Sequence, residues 1–91
     1  MLKIKLSTKI KRDLKLAKKR HYDFTKFQFV VNKIANNQKL EPEYKDHPLS
    51  GKYSGYRECH VEPDWLLIYK IYNNELILYL FRTGTHSDLF K

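Results

Sequence analysis

A chain of 91 residues and 11.0 kDa has room for one domain, 1–91, and 42% hydrophobic with 14% aromatic residues suffice for a single core, so wholesale disorder and low-complexity architectures are excluded. The single cysteine, Cys59, excludes an internal disulfide and a cysteine-based zinc site; with no apolar run near the roughly 20 residues of a membrane span and no signal-peptide core, the expected location is the cytoplasm, with no membrane partner. The net charge of +8 is uneven, twelve basic against two acidic residues through Lys39 and six against eight from Leu40 on, so the first half is an electrostatic footprint for a polyanion such as nucleic acid, or else a solvated helix surface.

Leu2, Ile4 and Leu6 alternate with Lys3 and Lys5, the period of a short strand with one buried face. Ser7 and Thr8 offer N-caps for a basic amphipathic helix: Ile10, Leu14 and Ala17 form its apolar stripe, and Lys9, Lys11, Lys15, Lys18, Lys19 and Arg20 lie largely outside it. A second helix is expected after Asp23, from the spacing of Phe27, Val30, Val31 and Ile34, ending at Asn36-Asn37 and forming a hairpin with the first. Residues 38–52, interrupted by Pro42, Pro48 and Gly51, read as an ordered loop carrying His47. Three strands follow, about Tyr53 to Val61, Trp65 to Tyr72 and Glu75 to Thr83, the middle one apolar on both faces. The order β-α-α-β-β-β defines an α+β fold, two helices packed on a mainly antiparallel twisted sheet. If Asn73-Asn74 is a symmetric two-residue turn, Tyr69 opposes Leu78, Leu67 opposes Leu80 and Trp65 opposes Arg82, with His60, Asp64 and His86 converging on the same sheet end.

Three histidines gathered with an arginine match the needs of metal-independent RNA cleavage. That reaction takes a base for the 2′-hydroxyl, an acid for the leaving 5′-oxygen and positive charge around the phosphorane. Trp65 offers a face for an unstacked base, or equally fills the core. Three histidines and a carboxylate could also hold zinc, but no His-x-x-x-His pair or carboxylate cluster supports that, so neither metal nor cofactor is expected. Cys59 points away from His60 by strand alternation, which argues against a Cys–His nucleophile.

The segments YKDHPLSGKYSGYRECHVEPDWLLIYK and RTGTHSDLF, with KLAKKRHYDF earlier, resemble the YafQ-like branch of the RelE/ParE toxins of bacterial toxin–antitoxin systems. His-Pro-Leu, His-x-x-x-Asp-Trp and Arg-Thr-Gly-x-His carry the likeness, which covers nearly the whole chain. It implies a microbial-RNase-like domain that cleaves mRNA in the ribosomal A site, a cognate antitoxin as partner, and contact with operator DNA only through the antitoxin complex. The implied site is His47, His60, Asp64, Arg82 and His86 as catalytic groups, with Trp65 and Phe90 against substrate. In roles, Arg82 binds the phosphate, and His47 orients substrate or shares proton transfer; His86 on a flexible C-terminal segment is the choice for acid and His60 with Asp64 for the base side, but sequence does not fix which imidazole is which, because that depends on tautomer and local environment. The basic helix, Lys9, Lys11, Lys15, Lys18, Lys19 and Arg20, would hold ribosomal RNA. Two other classes stay open: a non-catalytic ParE-like inhibitor of DNA gyrase, which would not need the histidines, and a plain basic RNA- or ribosome-binding protein.

Overall fold

The computed structural model describes residues 1–90. In chain order the elements are β1 Lys3–Leu6, α1 Thr8–Lys19, α2 Phe24–Ala35, β2 His47–Pro48, β3 Arg57–Glu62, β4 Trp65–Tyr72, β5 Ile77–Gly84 and α3 His86–Leu89. The five strands form one mixed sheet in the order β1-β5-β4-β3-β2, with β1 parallel to β5 and the other neighbours antiparallel.

Both long helices start where side chains satisfy their free N–H groups. Ser7 Oγ accepts from the Ile10 N–H at 2.9 Å and donates to the Phe81 carbonyl at 2.6 Å, so the cap also ties α1 to β5. Asp23 caps α2 by accepting from the Thr25 N–H at 3.0 Å. α1 packs on β5 and α2 on β3, burying Ile10, Ala17, Phe27, Val30, Val31 and Ile34 against Trp65, Leu67, Tyr69, Leu78 and Leu80. Each large side chain so buried contributes about 1.5–3 kcal/mol. The other face of β4 presents Leu66 and Ile68 to a smaller cluster with Leu89 of α3, which explains why this strand is apolar on both sides.

Four details depart from the sequence reading. His47-Pro48 is not loop but a two-residue edge strand paired with Arg57-Glu58. The segment after β5 is not loose: Thr85 and Asp88 form a capping box that starts α3. In β1, Ile4 and Leu6 stand opposite Leu78 and Leu80, yet they are 37% and 41% exposed because α1 lies over β5 and leaves this edge uncovered. Lastly, the β4–β5 turn is longer than two residues, a helical turn over Asn73–Glu75 followed by Leu76 in the left-handed region at φ 54°.

That longer turn moves the register by two residues, so Tyr69 opposes Leu80 and the faces are preserved. A bulge then inserts Phe81: Ile68 opposes Arg82 and Leu67 opposes Thr83. Past the bulge the alternation of β5 is inverted. Thr83 turns toward the helices, and Arg82 is transferred to the open face.

Candidate active site

Residues directly opposed on neighbouring strands share a face, and here they line up. His47 opposes Glu58, Glu58 opposes Ile68, and Ile68 opposes Arg82, one row crossing four strands at about 4.8 Å per strand. In a second row His60 opposes Leu66, which opposes Gly84, where the chain leaves the sheet for α3. His86 opens α3, and its backbone N–H donates to Asp64 Oδ1 at 3.3 Å, clasping the helix to the β3–β4 turn. The structure thus gathers His47, His60 and Arg82 on one face and closes it with Asp64 and His86.

The hydrogen bonds of the imidazoles fix what each can do. His60 Nδ1 lies 3.1 Å from the Pro63 carbonyl, which only accepts; Nδ1 is therefore the donor to the backbone, and Nε2 is the nitrogen left to face a substrate hydroxyl. His47 Nδ1 donates to the Lys45 carbonyl at 2.6 Å, and its Nε2 lies 3.4 Å from Glu58 Oε1. His47 is thus held between a backbone carbonyl on one side and a carboxylate on the other. Glu58 is only 5% exposed, and its other oxygen has no partner among the described residues, so it is a buried carboxylate aimed into the row.

Arg82 Nε and Nη2 donate to the two Asp13 oxygens at 2.7 and 3.1 Å, and Asp13 also accepts from the Thr83 N–H at 3.1 Å. This bidentate hold, more than the nearby negative charge, raises the guanidinium pKa, and it leaves both N–H groups of Nη1 and the second of Nη2 to donate elsewhere. Asp13 was not singled out from sequence, although as the one acid of an otherwise basic helix it is conspicuous.

One substrate assignment fails on geometry, and a second residue has a structural partner. Trp65 is 2% exposed; its Nε1 donates to Thr83 Oγ1 at 2.8 Å and its ring packs against Phe27, Tyr22 and Phe24 at 5.6, 4.8 and 5.9 Å, so no face is left for a base. It is a core tryptophan on the helix side. Arg20 is engaged with Asp88, Nη1 to Oδ2 at 2.7 Å and Nη2 to Oδ1 at 3.3 Å, which gives it a carboxylate partner that the lysines of α1 lack among the described residues. That pair straps α3 to α1 and draws the Asp88 carboxyl far below the usual carboxylate range. Gly84 permits the strap: a Cβ there would lie 3.0 Å from Asp88 Oδ2, and φ is +156°. Lys9, Lys11, Lys15, Lys18 and Lys19 are exposed along α1. Phe90 lies 5.0 Å from the His86 ring and 5.8 Å from Tyr53. Cys59 is buried toward the helices, where desolvation pushes its thiol up and out of reach of chemistry.

A sheet with two helices on one face and a histidine–arginine set on the other is the arrangement that the likeness to RelE/ParE toxins implies, and the comparisons with known proteins assign the class. The chain belongs to the YafQ family of bacterial toxins of type II toxin–antitoxin systems, whose family model matches residues 2–91. It is 48% identical over 88 residues to the mRNA interferase toxin YafQ of Escherichia coli K12, an alignment spanning 96% of this chain and 94% of that protein. Its fold is similar to a metal-bound toxin crystal structure from Helicobacter pylori, with a TM-score of 0.94 and 47% identity over 99% of this chain and all of that one. It is likewise similar to YafQ in the E. coli DinJ–YafQ complex, with a TM-score of 0.89 and 44% identity over the whole of both chains. Among the described residues here, no three His, Cys, Asp or Glu side chains converge on one point.

Proposed function

We propose that this chain is an mRNA interferase that cuts messenger RNA in the ribosomal A site during translation, and that a cognate antitoxin encoded beside it neutralises it and carries it to operator DNA. The name of the E. coli relative and the antitoxin bound to YafQ in the E. coli complex support the substrate and the partner. The observation that carries the reading is the pairing of a His60 whose Nε2 is left to face a substrate hydroxyl with an Arg82 held on the same face.

His60 Nε2 takes the proton of a 2′-hydroxyl, whose oxygen attacks the adjacent phosphorus. Arg82 Nη1 and a protonated His47 hold the developing charge on the non-bridging oxygens. His86 donates a proton to the departing 5′-oxygen, leaving a 2′,3′-cyclic phosphate and a 5′-hydroxyl. Asp64 acts through His86, by clasping the first turn of α3, and Glu58 keeps His47 oriented. Lys9, Lys11, Lys15, Lys18 and Lys19 offer phosphate contacts to ribosomal RNA.

Primer extension on one reporter, presented naked or under translation, tests this. Cleavage is expected only under translation, and only from the protein with His60 and Arg82 intact. Equal cutting of naked RNA would contradict the ribosomal requirement, and undiminished cutting by Arg82→Ala would contradict the mechanism.

A further inference from the structure

We infer that the open sheet face beyond the catalytic groups, running from His86 toward the β4–β5 hairpin, is a track for the single-stranded RNA that flanks the scissile phosphate; the inference rests on the nuclease reading above. The sheet register places Lys70 opposite Tyr79 and Tyr79 opposite Lys5, so a lysine, a tyrosine and a lysine stand side by side on three strands. Lys70 Nζ lies 5.0 Å from the Tyr72 ring centroid and 5.4 Å from that of Tyr56. Ion pairs among the described residues engage neither Lys70 nor Lys5.

The rings form an unbroken series. Tyr72 to Tyr79 is 6.4 Å, Tyr79 to Phe81 6.1 Å, Phe81 to Tyr53 6.3 Å and Tyr53 to Phe90 5.8 Å, and Phe90 ends 5.0 Å from the imidazole of His86. Packing accounts for part of it, since Phe81 and Phe90 cover the buried Leu66, Ile68 and Leu89. Tyr72 and Tyr79 lie outside that cluster, and Tyr72 is 37% exposed, so core formation gives no reason for them. Rings alternating with uncompensated ammonium groups match a single strand, whose bases stack without regard to sequence while its phosphates seek cations. An acidic peptide would use the lysines and leave the ring series without a role. The continuity of the series with His86 fixes its direction, out of the catalytic cluster along β5 and β4.

The test is binding of a fluorescent 2′-O-methyl oligonucleotide, which lacks the attacking hydroxyl and cannot be cut, read by anisotropy against salt. Tyr72→Ala and Tyr79→Ala are each expected to weaken binding by about five- to a hundredfold, the range of one lost base–aromatic stack. Lys70→Gln should lower the slope of log K against log salt by roughly 0.7. Circular dichroism and thermal melts confirm that each variant folds, and a conservative Tyr79→Phe should restore affinity. The track is overturned if the wild type does not bind, if Tyr72→Ala, Tyr79→Ala and Lys70→Gln bind unchanged, or if they lose only the cognate antitoxin. Because the oligonucleotide is never cleaved, failure here is separable from failure of the nuclease reading, which the cleavage assays on Arg82→Ala and His60→Ala decide.

Discussion

The two faces of the sheet are built to opposite specifications from the same strands. Toward α1 and α2, β4 and β5 present Trp65, Leu67, Tyr69, Leu78 and Leu80, none more than 2% exposed, and the polar groups admitted there are paired at once, as Trp65 Nε1 is with Thr83. On the other face Leu66 and Ile68 form an apolar floor, around which stand His47, Glu58, His60 and Arg82, with α3 and its histidine at one end. One β-bulge at Phe81 separates the two outcomes for β5, since without it Arg82 would face the helices and Thr83 the open side. The covered face supplies stability, and the open face spends some of it on a buried carboxylate oxygen without a partner.

The largest effects should sort by face. His86→Ala and His60→Ala should lower cleavage by about 10²–10⁴-fold and Arg82→Ala by about 10²–10³-fold, with melting little changed. Trp65→Ala should do the reverse, costing about 3–5 kcal/mol of stability and leaving cleavage by the folded fraction near wild type. A Trp65→Phe protein that folds normally but does not cut would break the comparison, because it would put that ring in contact with substrate.

Asp13 belongs to the helix layer yet acts on the open face, so it sharpens the comparison. Asp13→Asn should reduce cleavage by about 10–100-fold, the scale of a charge-assisted hydrogen bond, mainly in kcat. Added to Arg82→Ala it should do almost nothing further, as in any pair acting through one group. Full additivity in the double-mutant cycle would show that Asp13 acts elsewhere.

A smaller effect is expected from acid. Asp88 has its pKa lowered by Arg20 first and by Thr85 next, so its contribution is present above the ordinary carboxylate range and is lost as pH falls below about 4. The protection factors of the α3 amides, measured against the intrinsic exchange rate at each pH, should therefore fall at acid pH in the wild type, whereas in Asp88→Asn they should be low at every pH. Identical profiles for the two proteins would remove the strap from the account. Smallest per residue is the basic helix. Reversing Lys11, Lys15 and Lys18 should flatten the salt dependence of ribosome association by roughly 0.7–0.9 per lost contact. Unchanged sedimentation at every salt concentration would reduce that surface to a solvated face.

Much of the covered face is legible in the sequence and less of the open one. Ile10 and Ala17, Phe27 through Ile34, and the caps Ser7 and Asp23 announce both helices, because apolar spacing and side-chain capping are local signals. The register of β4 on β5 is not local. It depends on Leu76 taking a left-handed conformation and on a bulge at Phe81, neither marked by a glycine, so a two-residue turn at Asn73-Asn74 reads as well and gives Arg82 the wrong neighbour. The histidines and arginine stand out by residue type and family likeness. Trp65 does not sort itself, since an aromatic beside a turn looks the same whether it stacks on a base or fills the core. Asp13 stands out in the sequence as the one acid of its helix, but its role, like that of Glu58, emerges only when the fold brings the first to Arg82 and buries the second beside His47.

The central claim, that His86 hands a proton to the leaving oxygen while Arg82 holds the phosphate, is tested most directly by replacing the scissile 5′-oxygen with sulfur in a message positioned on the ribosome. A thiolate departs without an acid. His86→Ala should then cleave the sulfur substrate at close to the wild-type rate while remaining defective on the oxygen substrate, and Arg82→Ala should stay defective on both. Equal defects of His86→Ala on the two substrates would contradict the account.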